Sequence, residues 1–421
     1  MSKNISELSA RQGLKNNLFE NLAKPDLNKK KIAQQFLIGD SSVTGTMSFY
    51  DFLKDENKDK KVYVCNGSAC LCAGTQEKLK HQLSQHFETN EIGHMTCLGR
   101  CHENSAFNYK GKNYSALSEN QITDVINNKV SNFNIDKYHT EAISEKILID
   151  TALTADQAIQ AFNKILKQDS ELTLNEIKRS QLRGRGGAGF PIGYKLESAM
   201  KTESDDKYII CNADEGDPGA YSDRYLLEKQ PYSVLFGIMV SAYIVGAQYG
   251  ILYIRAEYPE SIKIINKSIQ SLVPLLDKLD FDFTFKIISA QGAYICGEET
   301  ALINSIEGQR PEVRTRPPFP TQQGLFNKPT VVNNVETLAS LYAILEKGGE
   351  YYAKLGHKLS KGTKLVSLDS FFNNPGIVEV EMGTSLIDVF EKLGGGFKQP
   401  IKAVHIGGPL GGVVPVEKFK D

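Results

Sequence analysis

Residues 207–224 have the sequence KYIICNADEGDPGAYSDR, in which a short apolar run passes directly into an acidic loop that contains glycine. Such a run, bounded by turn residues, is typical of a buried strand. Two similar runs, GILYIRAE at 250–257 and FTFKIISA at 283–290, follow after helix-like segments. Strands that alternate with helices predict an α/β fold with an open, mostly parallel sheet.

The acidic loop lies where ligands bind in such a fold. Ligands of open α/β sheets bind beyond the carboxyl ends of the strands, and Asn212, Asp214, Glu215 and Asp217 follow the first strand there. Carboxylates can accept hydrogen bonds from ribose hydroxyls and repel a 2′-phosphate, which would favour NAD over NADP. A solvated acidic loop is the alternative.

A glycine-rich loop, LRGRGGAGFPIGYK at 182–195, precedes this strand. It contains the pattern GxGxxG at 184–189, but it follows a helix-like stretch, LTLNEIKRSQL, where the dinucleotide fingerprint requires a strand. The loop still allows close approach of the backbone to a phosphate, with Arg185 and Lys195 available to neutralise its charge. A flexible turn with basic side chains is the alternative.

Three further motifs follow along the chain. GAYICGEETALINSIEG at 292–308 predicts a turn and then a helix that begins near Glu298. Carboxylates are favourable at a helix N-terminus, so Glu298 and Glu299 can be caps and no more. PPFP at 317–320 and VVNNVET at 331–337 offer a rigid aromatic loop and paired amides.

Five of the seven cysteines lie between Cys65 and Cys101. In a reducing compartment this concentration favours metal ligation over disulfides. The pairs Cys65/Cys70 and Cys97/Cys101 each follow a predicted strand, so they can converge. Four thiolates suit zinc or a 2Fe-2S cluster, and the spacings favour iron because zinc sites more often have a gap of two residues. Free thiols are a third alternative; Cys72 is expected to be an ordinary buried cysteine, with a ligand role as the alternative.

The pattern predicts five segments. They are a helical N-terminal segment at 1–57, a small α/β domain with the cysteine pairs at 58–128, a polar linker at 129–150, a larger α/β domain at 151–357, and a module of short strands around the helix SLIDVFEKL at 358–421. We expect the apolar surfaces of residues 1–52 and of the C-terminal module to dock partner proteins.

The charge is nearly balanced, with 49 basic and 50 acidic residues. No global attraction to nucleic acid or to an acidic membrane follows. The polar N-terminus lacks the apolar core of a secretory signal, which predicts a cytoplasmic protein. Residues 232–254 are uncharged and long enough to span a bilayer, but their tyrosines and glycines favour a buried helix that turns at 246–250 into a strand.

Together these motifs closely resemble the FMN-containing, NADH-binding flavoprotein family. Its members include the flavoprotein subunit of respiratory complex I, the diaphorase subunit of NAD-reducing hydrogenases and the flavoprotein subunit of NAD-dependent formate dehydrogenases. The resemblance covers residues 150–421, whereas 25–128, with SFYDFL before CNGSAC and CLGRC, resembles the companion thioredoxin-like 2Fe-2S subunit. It implies a thioredoxin-like 2Fe-2S domain, a Rossmann-like FMN and NAD(H) domain and a ubiquitin-like C-terminal module.

The resemblance also implies the site residues. Those that match FMN-binding positions are Gly184, Arg185, Gly187, Lys195, Asn212, Asp214, Tyr294, Glu298, Asn333 and Asn334. Those that match the NAD(H) pocket are Phe190, Glu215, Asp217, Glu299, Arg316 and Phe319, with the two phenylalanines available for stacking. Cys65, Cys70, Cys97 and Cys101 match the 2Fe-2S ligands, while Cys211 and Cys296 match cysteines that pack beside the flavin.

The implied function is an electron-input module that moves hydride between NAD(H) and FMN and passes single electrons to iron–sulfur clusters, without a catalytic acid or base. Its partners would be iron–sulfur and molybdenum or nickel–iron catalytic subunits of a formate dehydrogenase or hydrogenase, with no nucleic acid and no membrane insertion. A complex I-type subunit and a zinc-stabilised scaffold protein are the alternatives.

Some positions depart from the family pattern. Ser198 replaces an aromatic residue of complex I members that helps to hold the nicotinamide, and Arg316 and Asp217 replace a frequent lysine and glutamate, as in the hydrogenase and formate dehydrogenase branches. Family members normally continue beyond GGPLGG into a helical domain with a 4Fe-4S motif, which is not found before Asp421. We expect either a truncated chain or electron exit through another subunit's cluster.

Overall fold

The computed structural model describes residues 14, 18–22, 24, 28–129 and 139–419. Its first segment contains the helices α1 (Leu18–Leu22), α2 (Lys29–Gln35) and α3 (Asp40–Met47). Phe36, Val43 and Tyr50 are buried against residues of the large parallel sheet described below, in one apolar cluster. The segment therefore covers this chain's own sheet. Our expectation of a partner-facing apolar surface at 1–52 is wrong for Phe36, Val43 and Tyr50, because these side chains cover this chain's own sheet, and a parallel sheet needs cover on both faces.

The cysteine-containing domain has the predicted order of strand, helix, strand, hairpin and helix. Its elements are β1 (Val62–Cys65), α4 (Ser68–Cys72), α5 (Gln76–Leu83), β2 (Ile92–Met95), β3 (Phe107–Tyr109), β4 (Lys112–Tyr114) and α6 (Glu119–Ile126). The sheet order is β2-β1-β3-β4, with β1 and β2 parallel and the remaining pairs antiparallel. Ser118 and Gln121 form a capping box at the start of α6, which confirms the predicted helix start.

The segment expected to be a linker, 129–150, contains ordered structure in its described part. Strand β5 (His139–Ala142) pairs in parallel with β13 (Gly376–Glu381) of the C-terminal module. The carboxylate of Glu379 accepts hydrogen bonds from the backbone N–H groups of residues 147–149. The residues HTEA carry no strand signal because β5 is a sheet-edge strand with mostly exposed side chains.

The larger domain is built on a four-stranded parallel sheet with the order β8-β7-β6-β9. Its strands are β6 (Tyr208–Ala213), β7 (Tyr249–Ile254), β8 (Thr284–Ser289) and β9 (Thr330–Asn334). Its helices are α7 (Ala155–Leu166), α8 (Ser170–Arg179), α9 (Ile192–Lys201), α10 (Ser222–Lys229), α11 (Pro231–Val245), α12 (Pro259–Leu276), α13 (Glu299–Ile306), α14 (Val335–Lys347) and α15 (Gly349–Lys354). All three strands that the sequence predicts are present.

Helix α11 accounts for the uncharged stretch 232–254. Its side chains are almost all buried, and it ends at Gly246, whose φ of 75° reverses the chain toward β7. The predicted buried helix that turns into a strand is thereby confirmed. Within the described residues, no helix is both long enough and apolar enough to cross a membrane.

The C-terminal module contains two short hairpins and a small sheet. Its strands are β10 (Gly356–His357), β11 (Ser360–Lys361), β12 (Thr363–Leu368), β13, β14 (Ala403–Ile406) and β15 (Gly412–Pro415). The helix predicted from SLIDVFEKL is present, and Asp388–Leu393 within it is π-helical. The β14–β15 hairpin is largely exposed, with Leu410 and Val413 at the surface.

Candidate flavin and iron–sulfur site

Four of the sequence motifs meet at the carboxyl edge of the parallel sheet. The side-chain amide of Asn212, near the end of β6, donates a hydrogen bond to the carbonyl oxygen of Gly297, just before α13, at 2.8 Å. In the glycine loop, a Cβ on Gly186 would lie 3.1 Å from Cβ of Asn334, at the end of β9. The glycine loop, the acidic loop, the turn before α13 and the end of β9 therefore surround one region.

Part of the glycine-loop backbone is accessible to a ligand. It connects α8 to α9, so the prediction that no strand precedes it is confirmed. Gly187 and Gly189 have φ values of 114° and 63°, which side chains rarely tolerate, and no described atom lies within 4 Å of where a Cβ would stand. Backbone at these two positions can approach a ligand closely.

The two basic side chains of this region have different positions. The ammonium of Lys195 lies 2.7 Å from a carboxylate oxygen of Glu299 and 2.7 Å from the carbonyl oxygen of Val332, beside the sheet edge. The guanidinium of Arg185 is directed toward the hydroxyl of Tyr352, at 3.4 Å, and the carbonyl oxygen of Lys361. Contrary to our expectation, of these two side chains only Lys195 is placed to neutralise a phosphate. The backbone N–H of Arg185 donates to the hydroxyl of Thr337 at 2.8 Å, and its guanidinium binds the C-terminal module through Lys361.

Several buried polar atoms in this region have no hydrogen-bond partner in the described part of the chain. They include Nδ2 of Asn333, near the end of β9, and Oδ2 of Asp214, just beyond β6; Nε of Arg185 is another. Burial raises the pKa of Asp214 to about 7, although the nearby Arg255 opposes the shift. Buried polar groups are normally paired, so one unused donor and one unused acceptor fit a bound group that carries both. FMN, with its phosphate, hydroxyls and ring amides, is such a group.

The carboxylate of Glu215 is used inside the protein. It accepts hydrogen bonds from the backbone N–H groups of Asp223 and Arg224, at 3.0 and 3.2 Å, and thus satisfies the start of α10. Its pKa is raised, because burial outweighs these hydrogen bonds. The carboxylate of Glu215 is therefore directed to α10, which does not match our expectation that this side chain lines a nucleotide pocket. The cap could not be recognised from the local sequence, because the N-terminus of α10 lies too far along the chain.

Asp217 is an acidic residue of this loop that remains partly accessible. One of its carboxylate oxygens accepts a hydrogen bond from the hydroxyl of Tyr294 at 2.6 Å. A Cβ on Gly408, in the C-terminal GGPLGG turn, would lie 2.5 Å from the same carboxylate. Asp217 therefore joins the sheet edge to the C-terminal module.

The two glutamates before α13 have separate roles. Glu298 is the N-cap, because its carboxylate accepts from the N–H groups of Thr300 and Ala301 at 2.8 and 2.9 Å. Glu299 forms ion pairs with Lys195, at 2.7 Å, and with Arg316, at 3.3 Å. The cap interpretation is thus confirmed for Glu298 and is wrong for Glu299.

Two phenylalanines border the same region with exposed rings. Phe190 is 56% exposed and Phe319 is 52% exposed, which is unusual for side chains of this size. The hydroxyls of Ser198 and Thr321 are hydrogen-bonded at 2.9 Å and link α9 to the loop that carries Phe319. Planar aromatic surfaces therefore remain available for stacking.

The four predicted cysteine ligands come together. Cys65 ends β1, Cys70 lies on α4, and Cys97 and Cys101 lie in the loop after β2; all four are buried. The sulfur atoms of Cys97 and Cys101 are 3.5 Å apart. The hydrogen bond within each pair lowers the pKa of one cysteine, Cys70 or Cys97, and raises the pKa of its partner, Cys65 or Cys101. One thiolate of each pair is therefore favoured.

Cys72 does not belong to this group. It is exposed, contrary to our expectation of a buried cysteine. Residues two positions apart on a helix point to nearly opposite sides, so α4 directs Cys70 inward and Cys72 to solvent.

Among the described residues, no three or more His, Cys, Asp or Glu side chains are placed so as to hold one metal ion. The donor set of four thiols fits a 2Fe-2S cluster.

The cysteine loop and the acidic loop are in direct contact. The N–H of Gly219 donates a hydrogen bond to Sγ of Cys101 at 3.2 Å, and Arg255 donates to the carbonyl oxygen of Cys97 at 3.1 Å. Neither contact was predicted from the sequence. The available local signal was a charged residue, Arg255, directly after a strand of buried apolar residues.

Two family models match the chain. The model described as Nuo51 FMN-binding domain matches residues 177–343, and the model described as Thioredoxin-like [2Fe-2S] ferredoxin matches residues 23–129.

Several curated proteins are similar to this chain. NADP-reducing hydrogenase subunit HndC of Solidesulfovibrio fructosivorans is 45% identical over 60% of this chain and 53% of its own length. NAD-reducing hydrogenase HoxS subunit alpha of Cupriavidus necator is 34% identical over 94% of this chain and 70% of its own length. An NADH-quinone oxidoreductase subunit of Aquifex aeolicus is 41% identical over 60% of this chain and 61% of its own length. The chain therefore spans between about half and 70% of these relatives.

A solved structure, NAD+-reducing [NiFe]-hydrogenase in the H2-reduced state, superimposes with a TM-score of 0.85 at 27% identity, covering 96% of this chain and 73% of that chain. Fold and site define a flavoprotein module joined to a thioredoxin-like 2Fe-2S domain. The chain belongs to the family of FMN-binding flavoprotein subunits that includes subunit alpha of the NAD-reducing hydrogenase HoxS.

Proposed function

We propose that this chain is the electron-input module of a multi-subunit redox enzyme. It exchanges hydride between NAD(H) and FMN and passes single electrons to its 2Fe-2S cluster. The observation that carries the proposal is the hydrogen bond from Gly219 to the sulfur of Cys101, because it joins the loop of the flavin site directly to a cluster ligand. The cofactor supplies the chemistry: FMN takes up two electrons as hydride and releases them one at a time.

The FMN site is assigned to residues at the sheet edge. The open backbone around Gly187 and the ammonium of Lys195 would hold the phosphate group of FMN. The unused donor of Asn333 and the unused acceptor of Asp214 receive complementary groups of the same ligand. The remaining assigned residues are Gly184, Asn212, Tyr294, Glu298, Asn334 and Arg185, whose Nε has no hydrogen-bond partner among the described residues.

The nucleotide pocket is assigned to the open side of this site. Phe190 and Phe319 provide exposed rings for stacking, and Arg316 lies beside Glu299 at the same edge. Asp217 is the partly accessible carboxylate that can accept from a ribose hydroxyl and repel a 2′-phosphate. These residues bind and orient the substrate, and no proton transfer from a side chain is required.

The proposed ligands of the 2Fe-2S cluster are Cys65, Cys70, Cys97 and Cys101. The proposed partners are the iron–sulfur and nickel–iron or molybdenum subunits of an NAD-dependent hydrogenase or formate dehydrogenase, in the cytoplasm. The hydrogenase branch is supported by the long match to HoxS subunit alpha, which includes both the cysteine domain and the flavin domain. The exposed β14–β15 hairpin is the proposed docking surface.

The proposal is tested with the purified chain reconstituted with FMN, iron and sulfide. We expect bound flavin and cluster in the visible spectrum and NADH-driven reduction of an artificial one-electron acceptor. Asp217→Asn should narrow the preference for NADH over NADPH in kcat/KM, because it removes a charge that repels the 2′-phosphate, whereas the distant, exposed Asp277→Asn should not. A chain that stays colourless after reconstitution would contradict the assignment of FMN and the cluster. Unchanged selectivity between NADH and NADPH in Asp217→Asn would contradict the assignment of Asp217 to the nucleotide pocket.

A further inference from the structure

The loop that carries Cys97 and Cys101 is held by parts of the chain far away in sequence. The Gly219 N–H, from the flavin domain, donates to the sulfur of Cys101. The N–H of Ser370, from the C-terminal module, donates to the carbonyl oxygen of Cys101 at 3.0 Å. The surroundings of the cysteines are therefore completed outside the cysteine domain.

Arg255 lies between this loop and the flavin loop. It follows β7 directly and is buried, and its guanidinium donates to the carbonyl oxygens of Cys97, at 3.1 Å, and of Thr96. The same guanidinium donates to the carbonyl oxygen of Glu215 in the acidic loop. One positively charged group thus binds the backbone of both loops.

Other charged groups lie close to Arg255 or to the cysteine loop. It forms an ion pair with Glu257 at 2.9 Å, and a carboxylate oxygen of Asp214 lies 4.0 Å away. Arg224, which is also buried, donates to the carbonyl oxygen of Gly99 at 2.7 Å and is paired with Glu228. Arg255 differs in that its hydrogen bond reaches the backbone of a proposed ligand residue, Cys97.

A charge in this position affects the cluster's redox equilibrium. Reduction adds one electron to the cluster, so a nearby positive charge stabilises the reduced form more than the oxidised form. Because Arg255 is buried, solvent ions screen it only weakly. Hydrogen bonds to ligand sulfurs, such as that from Gly219, also influence the potential.

We propose that Arg255, a residue of the FMN-binding domain, is a positioning residue that raises the reduction potential of the 2Fe-2S cluster in the cysteine domain. The cluster then accepts electrons from the flavin side more readily. This inference rests on the proposed function, and specifically on the four proposed cysteine ligands.

The test is a redox titration of the full chain loaded with FMN and cluster, in which electron paramagnetic resonance measures the reduced cluster. At a fixed potential, Arg255→Gln should decrease the ratio of reduced to oxidised cluster about tenfold, equivalent to 59 mV for a one-electron couple. Glu257→Gln removes a negative charge beside the same guanidinium, so it should increase this ratio. Loosening of the fold would move both variants in the same direction.

Two further variants complete the test. Arg255→Lys keeps the charge and should retain a ratio close to that of the wild type. Arg314 forms a comparable ion pair with Glu307 at 2.8 Å, away from the cysteine loop, so Arg314→Gln should leave the ratio unchanged. If Arg255→Gln fails to fold, Glu257→Gln and Arg255→Lys carry the test.

The proposal is overturned if folded Arg255→Gln does not lower the ratio, or if Glu257→Gln leaves the ratio unchanged or lowers it. It is also overturned if Arg255→Lys lowers the ratio as much as Arg255→Gln does. A wild-type chain whose visible spectrum shows no 2Fe-2S cluster would instead refute the proposed function, and this inference with it. The spectrum is recorded before any titration, so the two failures are distinguishable.

Discussion

The unused donor of Asn333 leads to two predictions for one substitution: the stability of the FMN-free chain should not fall, whereas its affinity for FMN should. Its side chain is only 7% exposed, and its Nδ2 has no partner among the described residues. An unsatisfied buried donor costs about 1–3 kcal/mol. Asn333→Leu, which has a similar shape, should therefore leave the FMN-free chain as stable as the wild type or more stable by up to about that amount. This is measured by urea unfolding of the flavin-free protein.

The same substitution should weaken FMN binding. A hydrogen bond to the ligand that is lost in a buried site corresponds to about 1–3 kcal/mol, so the FMN dissociation constant should rise roughly 5- to 150-fold. Quenching of flavin fluorescence on titration of the flavin-free protein measures this constant. A residue that stabilises the fold alone would not produce this combination of effects.

Asn304 is the matched control, because it is also a buried asparagine but both of its polar atoms are bonded, to Glu312 and Arg314. Asn304→Leu should destabilise the flavin-free chain by about 1–3 kcal/mol and leave the FMN affinity of the folded protein unchanged. If Asn333→Leu behaves like this control, the assignment of Asn333 to the flavin site is refuted.

Two other perturbations test the cysteines and the buried acid. Cys70→Ser should abolish the visible and paramagnetic signals of the 2Fe-2S cluster, whereas Cys72→Ser should retain them; loss of the cluster in Cys72→Ser would contradict the ligand assignment. Asp214 has a pKa raised by burial to about 7. A raised acid pKa means that its contribution to stability is present at low pH and lost as pH rises through the folded value. Between roughly pH 4 and 7, Asp214 should therefore make the unfolding free energy of the FMN-free wild type fall by about 1.4 kcal/mol per pH unit, and Asp214→Asn should lack this fall. If the unfolding free energy has the same slope against pH in both proteins, this titration of Asp214 is excluded.

Elements with a strong local signal were predictable. The three parallel strands that the sequence identified were short apolar runs next to turns, and α11 ended at the glycine expected to reverse the chain. The cap by Glu298 and the capping box of Ser118 depend on residues within three positions of each other. In each case the interacting groups are close in sequence, so the residue pattern contains the necessary information.

Features that depend on distant pairing were not predictable in the same way. Glu215 looked like a pocket residue, but its carboxylate satisfies the start of α10. The guanidinium of Arg185 is directed away from the site because Tyr352 and Lys361 lie beside it in the folded chain. Strand β5 was missed because its polar side chains face solvent and its pairing partner lies more than 200 residues later.

By itself, the sequence indicated the class of fold, the paired cysteines and the glycine-rich and acidic motifs, since periodicity, spacing and turn residues are local properties. The assignment of these motifs to a flavin site came from the resemblance to the family. Only the tertiary structure decided that the N-terminal helices cover the parallel sheet and that Arg255 and Gly219 bind the cysteine loop. The physical reason is that burial and hydrogen-bond satisfaction are conditions on the whole folded chain, which residues far apart in sequence meet together.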